Sequence, residues 1–108
     1  MFEHYRSVFS TQYTILGLDL SSCIYLEDVS ALGNVRFLNL KNCSSLVDVS
    51  ALLNVYSLNI SYCNNIVDVS ALQNTIILNI RWCKQIRDIS MLRNVPTLYR
   101  EGCGCLIL

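Results

Sequence analysis

Cysteine is the residue type with the most chemical potential in this sequence, since six cysteines occur in 108 residues. In a chain of this size, that density suggests either a disulfide framework or a metal site. Neither is supported by local motifs, because no C-x-x-C pair occurs and His4 is the single histidine. Five of the six are spaced at intervals of twenty residues: Cys23, Cys43, Cys63, Cys83 and Cys103.

The regular spacing favours a structural role for these five cysteines. At equivalent places in a repeat they form one inward column, where a small side chain fills a corner and its weak S–H meets a backbone carbonyl. Stacked parallel thiols do not form the tetrahedron that zinc requires. A ladder of disulfides would need an oxidising compartment. We therefore expect a structural cysteine column without a metal or cofactor, and keep a thiol-based metal or redox protein as the weaker alternative.

Cys105 lies outside this spacing and has a different predicted chemistry. It begins the sequence Cys105-Leu106-Ile107-Leu108, a C-a-a-X pattern whose terminal Leu favours a geranylgeranyl group. The sequence before it is mildly basic, the sign that suits an anionic membrane leaflet. The competing interpretation places Leu106 in the core, because Leu46, Ile66 and Ile86 hold the equivalent apolar slot.

The elements that position these cysteines form a twenty-residue repeat. Four units cover residues 18–37, 38–57, 58–77 and 78–97, and a partial fifth covers 98–108. Leu58 and Ile60 alternate with Asn59, which predicts a short strand with one buried face. The D-V-S-A-L segment that returns is long enough only for a 3₁₀ or single helical turn.

Three further columns follow from the return segment. We expect the serines of the D-V-S-A-L segment to cap the turn and the asparagines that follow it to end the turn in the left-handed conformation. The aspartates are expected at an exposed turn, or accepting hydrogen bonds from backbone N–H groups of the return. These columns are Ser30, Ser50, Ser70 and Ser90; Asn34, Asn54, Asn74 and Asn94; and Asp28, Asp48, Asp68 and Asp88.

The spacing of the apolar slots resembles the leucine-rich-repeat superfamily. In the third unit these slots hold Val55, Leu58, Ile60, Cys63 and Ile66. The D-[VI]-S-[AM]-L return resembles internalin-type bacterial repeats, although each unit here is about two residues shorter. We expect neither the folded end caps nor the secretion signal of that group.

The resemblance implies a leucine-rich-repeat solenoid of the α/β class, mostly β. About five short parallel strands would form its concave face and 3₁₀ or short helical turns its convex face. Residues 1–14 would be an N-terminal cap and 15–108 the solenoid. Such repeats usually bind proteins on the concave face.

Residues that vary between units on that face are the candidate partner-binding set. Exposed aromatics flanked by Asn and Arg are typical of protein-binding hot spots. Alternatively, the aromatics pack on one another and the strand asparagines hydrogen-bond along their own column. The set comprises Phe37, Asn39, Lys41, Asn59, Tyr62, Ile77, Asn79, Arg81 and Trp82.

Composition narrows the function further. A net charge of zero disfavours a nucleic-acid partner, and no Ser/His/Asp set or Gly-rich phosphate loop indicates an enzyme. We expect a non-catalytic protein-interaction module that is intracellular and cytoplasmic, since residues 1–10 contain no apolar signal region. The alternative is a prenylated adaptor or effector, peripherally attached to a membrane through Cys105. The apolar C-terminal edge also predicts pairing with a second copy.

Overall fold

The computed structural model describes residues 15–105, and within them the chain forms one parallel sheet of five strands in sequence order. The strands are β1 (Gly17–Asp19), β2 (Phe37–Asn39), β3 (Ser57–Asn59), β4 (Ile77–Asn79) and β5 (Thr97–Tyr99). Short 3₁₀ turns connect them on the opposite side, at Ser30–Leu32, Ser50–Leu52, Ser70–Leu72 and Ser90–Leu92. The predicted fold class, a leucine-rich-repeat solenoid, is confirmed.

The register is the twenty-residue step seen in the sequence. Leu38 pairs with Leu58, and Leu58 with Leu78, so equivalent residues lie side by side across the sheet. The predicted N-terminal cap and the residues 106–108 lie outside the described part of the chain. No helix in the described part is both long and apolar enough to cross a membrane.

The core lies between the sheet and the 3₁₀ turns, and the repeat slots fill it. The middle residue of each internal strand is buried, as are the cysteine, leucine and valine slots that follow. One unit departs from the pattern: Thr75 is fully buried where Val35, Val55 and Val95 stand in the other units.

The return segment is organised by aspartate rather than by serine. No serine caps a 3₁₀ turn; the residue before each turn is Val or Ile, without a side-chain cap. Instead Oδ1 of Asp48 accepts hydrogen bonds from the N–H of Ser50 at 2.9 Å and from its hydroxyl at 2.7 Å. The serine prediction was wrong because aspartate two residues earlier makes the turn with its own side chain. The aspartates are exposed and accept backbone N–H donors, as predicted.

The left-handed conformation also occurs at a different place from the one predicted. Asn34, Asn54, Asn74 and Asn94 do not adopt it. Within residues 15–105 the non-glycine residues with positive φ, between 61° and 62°, are Ser22, Asn42, Tyr62 and Trp82, and Gly102 at the next equivalent position has φ of 73°. The chain reverses there because the N–H of Asn42 donates to the carbonyl of Ser61 while the next N–H, that of Cys43, turns back to the carbonyl of Leu40.

The cysteine column has the predicted structure over three units. Cys43, Cys63 and Cys83 are buried, and the thiol of each donates to a backbone carbonyl of the preceding unit, at 2.9–3.2 Å. Cys23 is half-buried. Cys103 departs from the prediction because its sulfur forms a disulfide with Cys105 and has no hydrogen to donate.

Candidate functional site on the concave face

The concave face contains a groove of about 580 Å³ that runs across all five strands. The first and third residues of strands β1 to β4, and the third residue of β5, line it, because their neighbours in the strand point to the core. Five predicted site residues line this groove: Phe37, Asn39, Asn59, Ile77 and Asn79. The predicted set did not include the rest of the lining, which comprises Asp19, Ser57, Tyr99, Gly17, Leu18, Leu38 and Leu58.

The floor of the groove carries an amide column made of Asn39, Asn59 and Asn79. Oδ1 of each accepts a hydrogen bond from the N–H two residues later, at 2.9–3.0 Å. The asparagines therefore do not hydrogen-bond along their own column, which was the alternative considered from the sequence. Within residues 15–105 the Nδ2 groups of these three side chains have no partner. The column presents unused donors to the groove.

The other predicted residues form a rim beyond the ends of the strands. Tyr62 and Trp82, here called the aromatic rim, stack with ring centroids 6.3 Å apart and planes 20° from parallel. Lys41 Nζ lies 5.7 Å from the Tyr62 ring centroid, and the Arg81 guanidinium lies 4.5 Å from that of Tyr99. The structure thus divides the predicted set between the groove and this rim.

The aromatic rim is built on backbone that aromatic residues rarely adopt. Tyr62 and Trp82 have φ of 62°, and the equivalent residues are Ser22, Asn42 and Gly102. Of these, Asn and Gly are the types that tolerate positive φ best. A left-handed non-glycine residue costs about 1–3 kcal/mol, and an aromatic pair returns about 0.5–1.5 kcal/mol. Stacking therefore does not fully offset the backbone cost, and both rings remain about two-fifths exposed.

Gly102 provides the seat of the Trp82 indole. A Cβ at Gly102 would lie 2.3 Å from Cε3 of that ring, closer than any real contact. The indole consequently packs on bare backbone, and only its outer part is exposed.

Arg81 is held between two groups at this end of the groove. Its Nε lies 3.3 Å from Oε1 of Glu101, an ion pair whose alignment does not meet hydrogen-bond geometry. The guanidinium also lies 4.5 Å from the centroid of the Tyr99 ring, which remains 41% exposed.

A second aromatic pair lies at the N-terminal ends of the strands, opposite the aromatic rim. Phe37 and Tyr56 meet edge to face with centroids 5.8 Å apart, and the Arg36 guanidinium lies 5.0 Å from the Tyr56 ring centroid. Sequence reasoning missed Tyr56 because its position precedes the strand and is not part of the alternating pattern. The signal available in the sequence was Arg36, a basic residue that stands twenty positions before Tyr56 and contacts its ring.

Two of the buried cysteines, Cys63 and Cys83, are poorly suited to thiol chemistry. Burial raises the pKa of Cys63 to about 12 and that of Cys83 to about 11, so both thiols stay protonated at neutral pH. Among residues 15–105 no group of three His, Cys, Asp or Glu side chains is placed to hold a metal ion. Prenylation stays a prediction: the disulfide occupies the sulfur of Cys105, and the rest of the C-a-a-X pattern lies outside the described residues.

Comparisons with known proteins agree with the fold. No protein-family model matches the chain, and no curated protein matches it in sequence. Among solved structures it is similar to an internalin, InlF, of Listeria monocytogenes, with 30% identity and a TM-score of 0.53. The match covers 68% of this chain and 24% of the internalin, so the chain spans about a quarter of that protein. The five-stranded parallel sheet, the 3₁₀ returns and this similarity identify the fold as a leucine-rich-repeat solenoid.

Proposed function

We propose that the chain is a non-catalytic protein-interaction module whose partner protein contacts the groove and the aromatic rim. The observation that carries the proposal is the aromatic rim itself. Two large exposed rings occupy left-handed positions whose equivalents in the other units are Ser22, Asn42 and Gly102. Strained backbone of this kind clusters at functional sites in proteins.

The composition of the surface supports a protein partner. Partly exposed Tyr and Trp beside Lys and Arg are the residue types that dominate binding energy at protein interfaces. Because these side chains already contact one another, a partner would bind a surface whose conformation is set in advance, which lowers the entropy cost of association.

The test is affinity capture from cells with two matched variants. The rim variant carries Tyr62→Asn and Trp82→Asn, which introduce the residue found at the equivalent Asn42 and suit positive φ. The convex control carries Leu53→Gln and Met91→Ala. It removes two exposed apolar side chains of the convex side and introduces the residues of the adjacent units, Gln73 and Ala71.

We expect the convex control to retain a specific partner and the rim variant to bind it at least tenfold more weakly, as for other aromatic hot spots. Equal capture by the two variants, or loss of the partner only in the convex control, would contradict the proposal. Circular dichroism of both variants checks that the solenoid is intact.

A further inference from the structure

The orientation of the amide column is fixed by the backbone beneath it. Each Oδ1 is held by an N–H of its own unit, so the amide cannot flip without losing that hydrogen bond. The Nδ2 group of each side chain is therefore left as a donor to the groove. The natural acceptors for a row of such donors are carbonyl oxygens, which every peptide backbone supplies.

The spacing of the column selects among peptide conformations. Adjacent parallel strands are about 4.8 Å apart, so amides two strands apart are separated by about 9.6 Å. In an α-helix the carbonyls are used internally. In an extended β segment, carbonyls on one side recur about every 6.8 Å, which misses both spacings by about 2 Å or more. In polyproline II the repeat of three residues is about 9.3 Å, within about 0.3 Å of the spacing of about 9.6 Å expected for two strands. It therefore matches Asn39 and Asn79 and passes over Asn59 between them.

The walls and the ends of the groove suit the same conformation. Phe37 and Tyr99 line it, and aromatic-lined grooves recognise proline-rich segments because the flat rings pack against pyrrolidine rings and little chain entropy is lost. Asp19 continues the amide column in β1 with an exposed carboxylate. A basic side chain of the ligand is the complementary group at that end.

We propose that the groove binds a proline-rich segment of the partner protein in the polyproline II conformation, lying across the five strands. Backbone carbonyls three residues apart accept hydrogen bonds from Nδ2 of Asn39 and Asn79, and a basic residue of the segment lies beside Asp19. Four strand spacings, about 19 Å, accommodate about six residues at 3.1 Å each. This inference rests on the proposed function and specifies the chemistry of the partner.

The direct test is a titration of the ¹⁵N-labelled full chain observed by NMR. The probes are acetyl-Arg-(Pro)₇-amide and the reverse sequence acetyl-(Pro)₇-Arg-amide, since polyproline II segments bind in either direction. We expect saturable shifts of the side-chain amide signals of Asn39 and Asn79. The signals of Asn54 and Asn74, outside the groove, stay in place and report non-specific effects. A peptide of equal length with Gly and Ser replacing the prolines is the conformational control.

Substitution of the amides provides the matched variants. Asn39→Asp and Asn79→Asp keep the Oδ acceptor but remove the Nδ2 donor, and Asp19 already makes this turn at the first position of the column. Asn74→Asp adds the same charge outside the groove. We expect each groove variant to weaken binding about fivefold, the value of one hydrogen bond, and Asn74→Asp to bind as the parent chain does.

Three results would overturn the inference: absence of shifts at Asn39 and Asn79 with either proline peptide at millimolar concentration, equal binding of the Gly/Ser peptide, or unchanged affinity of the Asn39→Asp, Asn79→Asp double variant. If these occur while the rim variant still loses its captured partner, the inference fails and the proposed function stands. If capture does not depend on the rim, the proposed function fails on its own evidence.

Discussion

Thr75 offers a direct test of how the core is built. Its hydroxyl is fully buried, and within residues 15–105 it has no hydrogen-bond partner. The backbone around it does not require threonine, since its N–H donates to the carbonyl of Leu72 at 3.1 Å just as that of Val55 donates to Leu52 at 3.2 Å. Thr75→Val would therefore replace an unpaired polar group by a methyl group in a site already shaped for valine.

The expected gain follows from the desolvation of that hydroxyl. An unsatisfied buried hydroxyl costs about 1–3 kcal/mol, so Thr75→Val should raise the free energy of unfolding by about that amount. For a domain of this size, each kcal/mol corresponds to about 4 °C in the melting temperature. The reciprocal substitution Val55→Thr, in the adjacent unit of the same column, should lower the free energy of unfolding by a similar amount.

The assay is urea unfolding followed by circular dichroism and by the fluorescence of Trp82, the single tryptophan. Coincident transitions from the two probes establish two-state behaviour, and an unchanged m-value assigns the effect to stability. If Thr75→Val lowers the free energy of unfolding or leaves it unchanged, the hydroxyl has a partner in solution and the reasoning is refuted.

Three other predictions concern the thiols, the aspartates and the rim. At pH 8 iodoacetamide should leave Cys63 and Cys83 unmodified in the folded chain and alkylate them in urea, because burial raises the pKa of both thiols. Mass spectrometry that finds them alkylated without urea would contradict this. Hydrogen bonds from Ser50 and Ser70 lower the pKa of Asp48 and Asp68 below the ordinary 3.8. Their stabilising effect is thus present above about pH 4 and lost as pH falls through the lowered values. The variant Asp48→Asn, Asp68→Asn should show a shallower fall in melting temperature between pH 5 and 2, and an identical fall would count against it. Gly102→Ala should displace the Trp82 indole and shift its fluorescence emission. Gly17→Ala, where the added Cβ meets ordinary contacts at 3.7 Å, should leave the emission unchanged. Equal emission spectra of the two variants would exclude packing of the indole on Gly102.

The fold could be predicted from the sequence because every unit repeats the same apolar slots at the same offset. Leu58, Ile60 and Cys63 are buried where the pattern placed them. The details of the turns could not be predicted in the same way. Serine and aspartate are both types whose side chains organise such turns, and only the geometry shows that Asp48 does so, by accepting the N–H of Ser50. Positive φ was assigned by residue type to Asn54, whereas the hydrogen bonds between units impose it on Tyr62.

For the candidate site, the sequence predicted which face of the sheet carries it but not how the residues are arranged on that face. Alternation identified Asn59 and Ile77 as outward, and both line the groove. It could not separate the groove from the rim, because the direction of a side chain after the strand depends on the left-handed turn. The disulfide between Cys103 and Cys105 was also missed. The repeat predicts the surroundings of residues at equivalent positions, and no other unit has a cysteine at the position equivalent to Cys105.

The hydrogen bonds between units also fix the distance that each additional unit would add to the solenoid. The backbone hydrogen bonds of the sheet and the thiol hydrogen bonds each join a residue to its counterpart, or near-counterpart, in the adjacent unit. A copy of residues 58–77 inserted after position 77 would therefore restore every such contact at both junctions. The groove would lengthen by one strand spacing, about 4.8 Å, and gain one more asparagine. Ligand length could thus be adjusted by duplicating a unit, with the backbone and thiol hydrogen bonds between units retained.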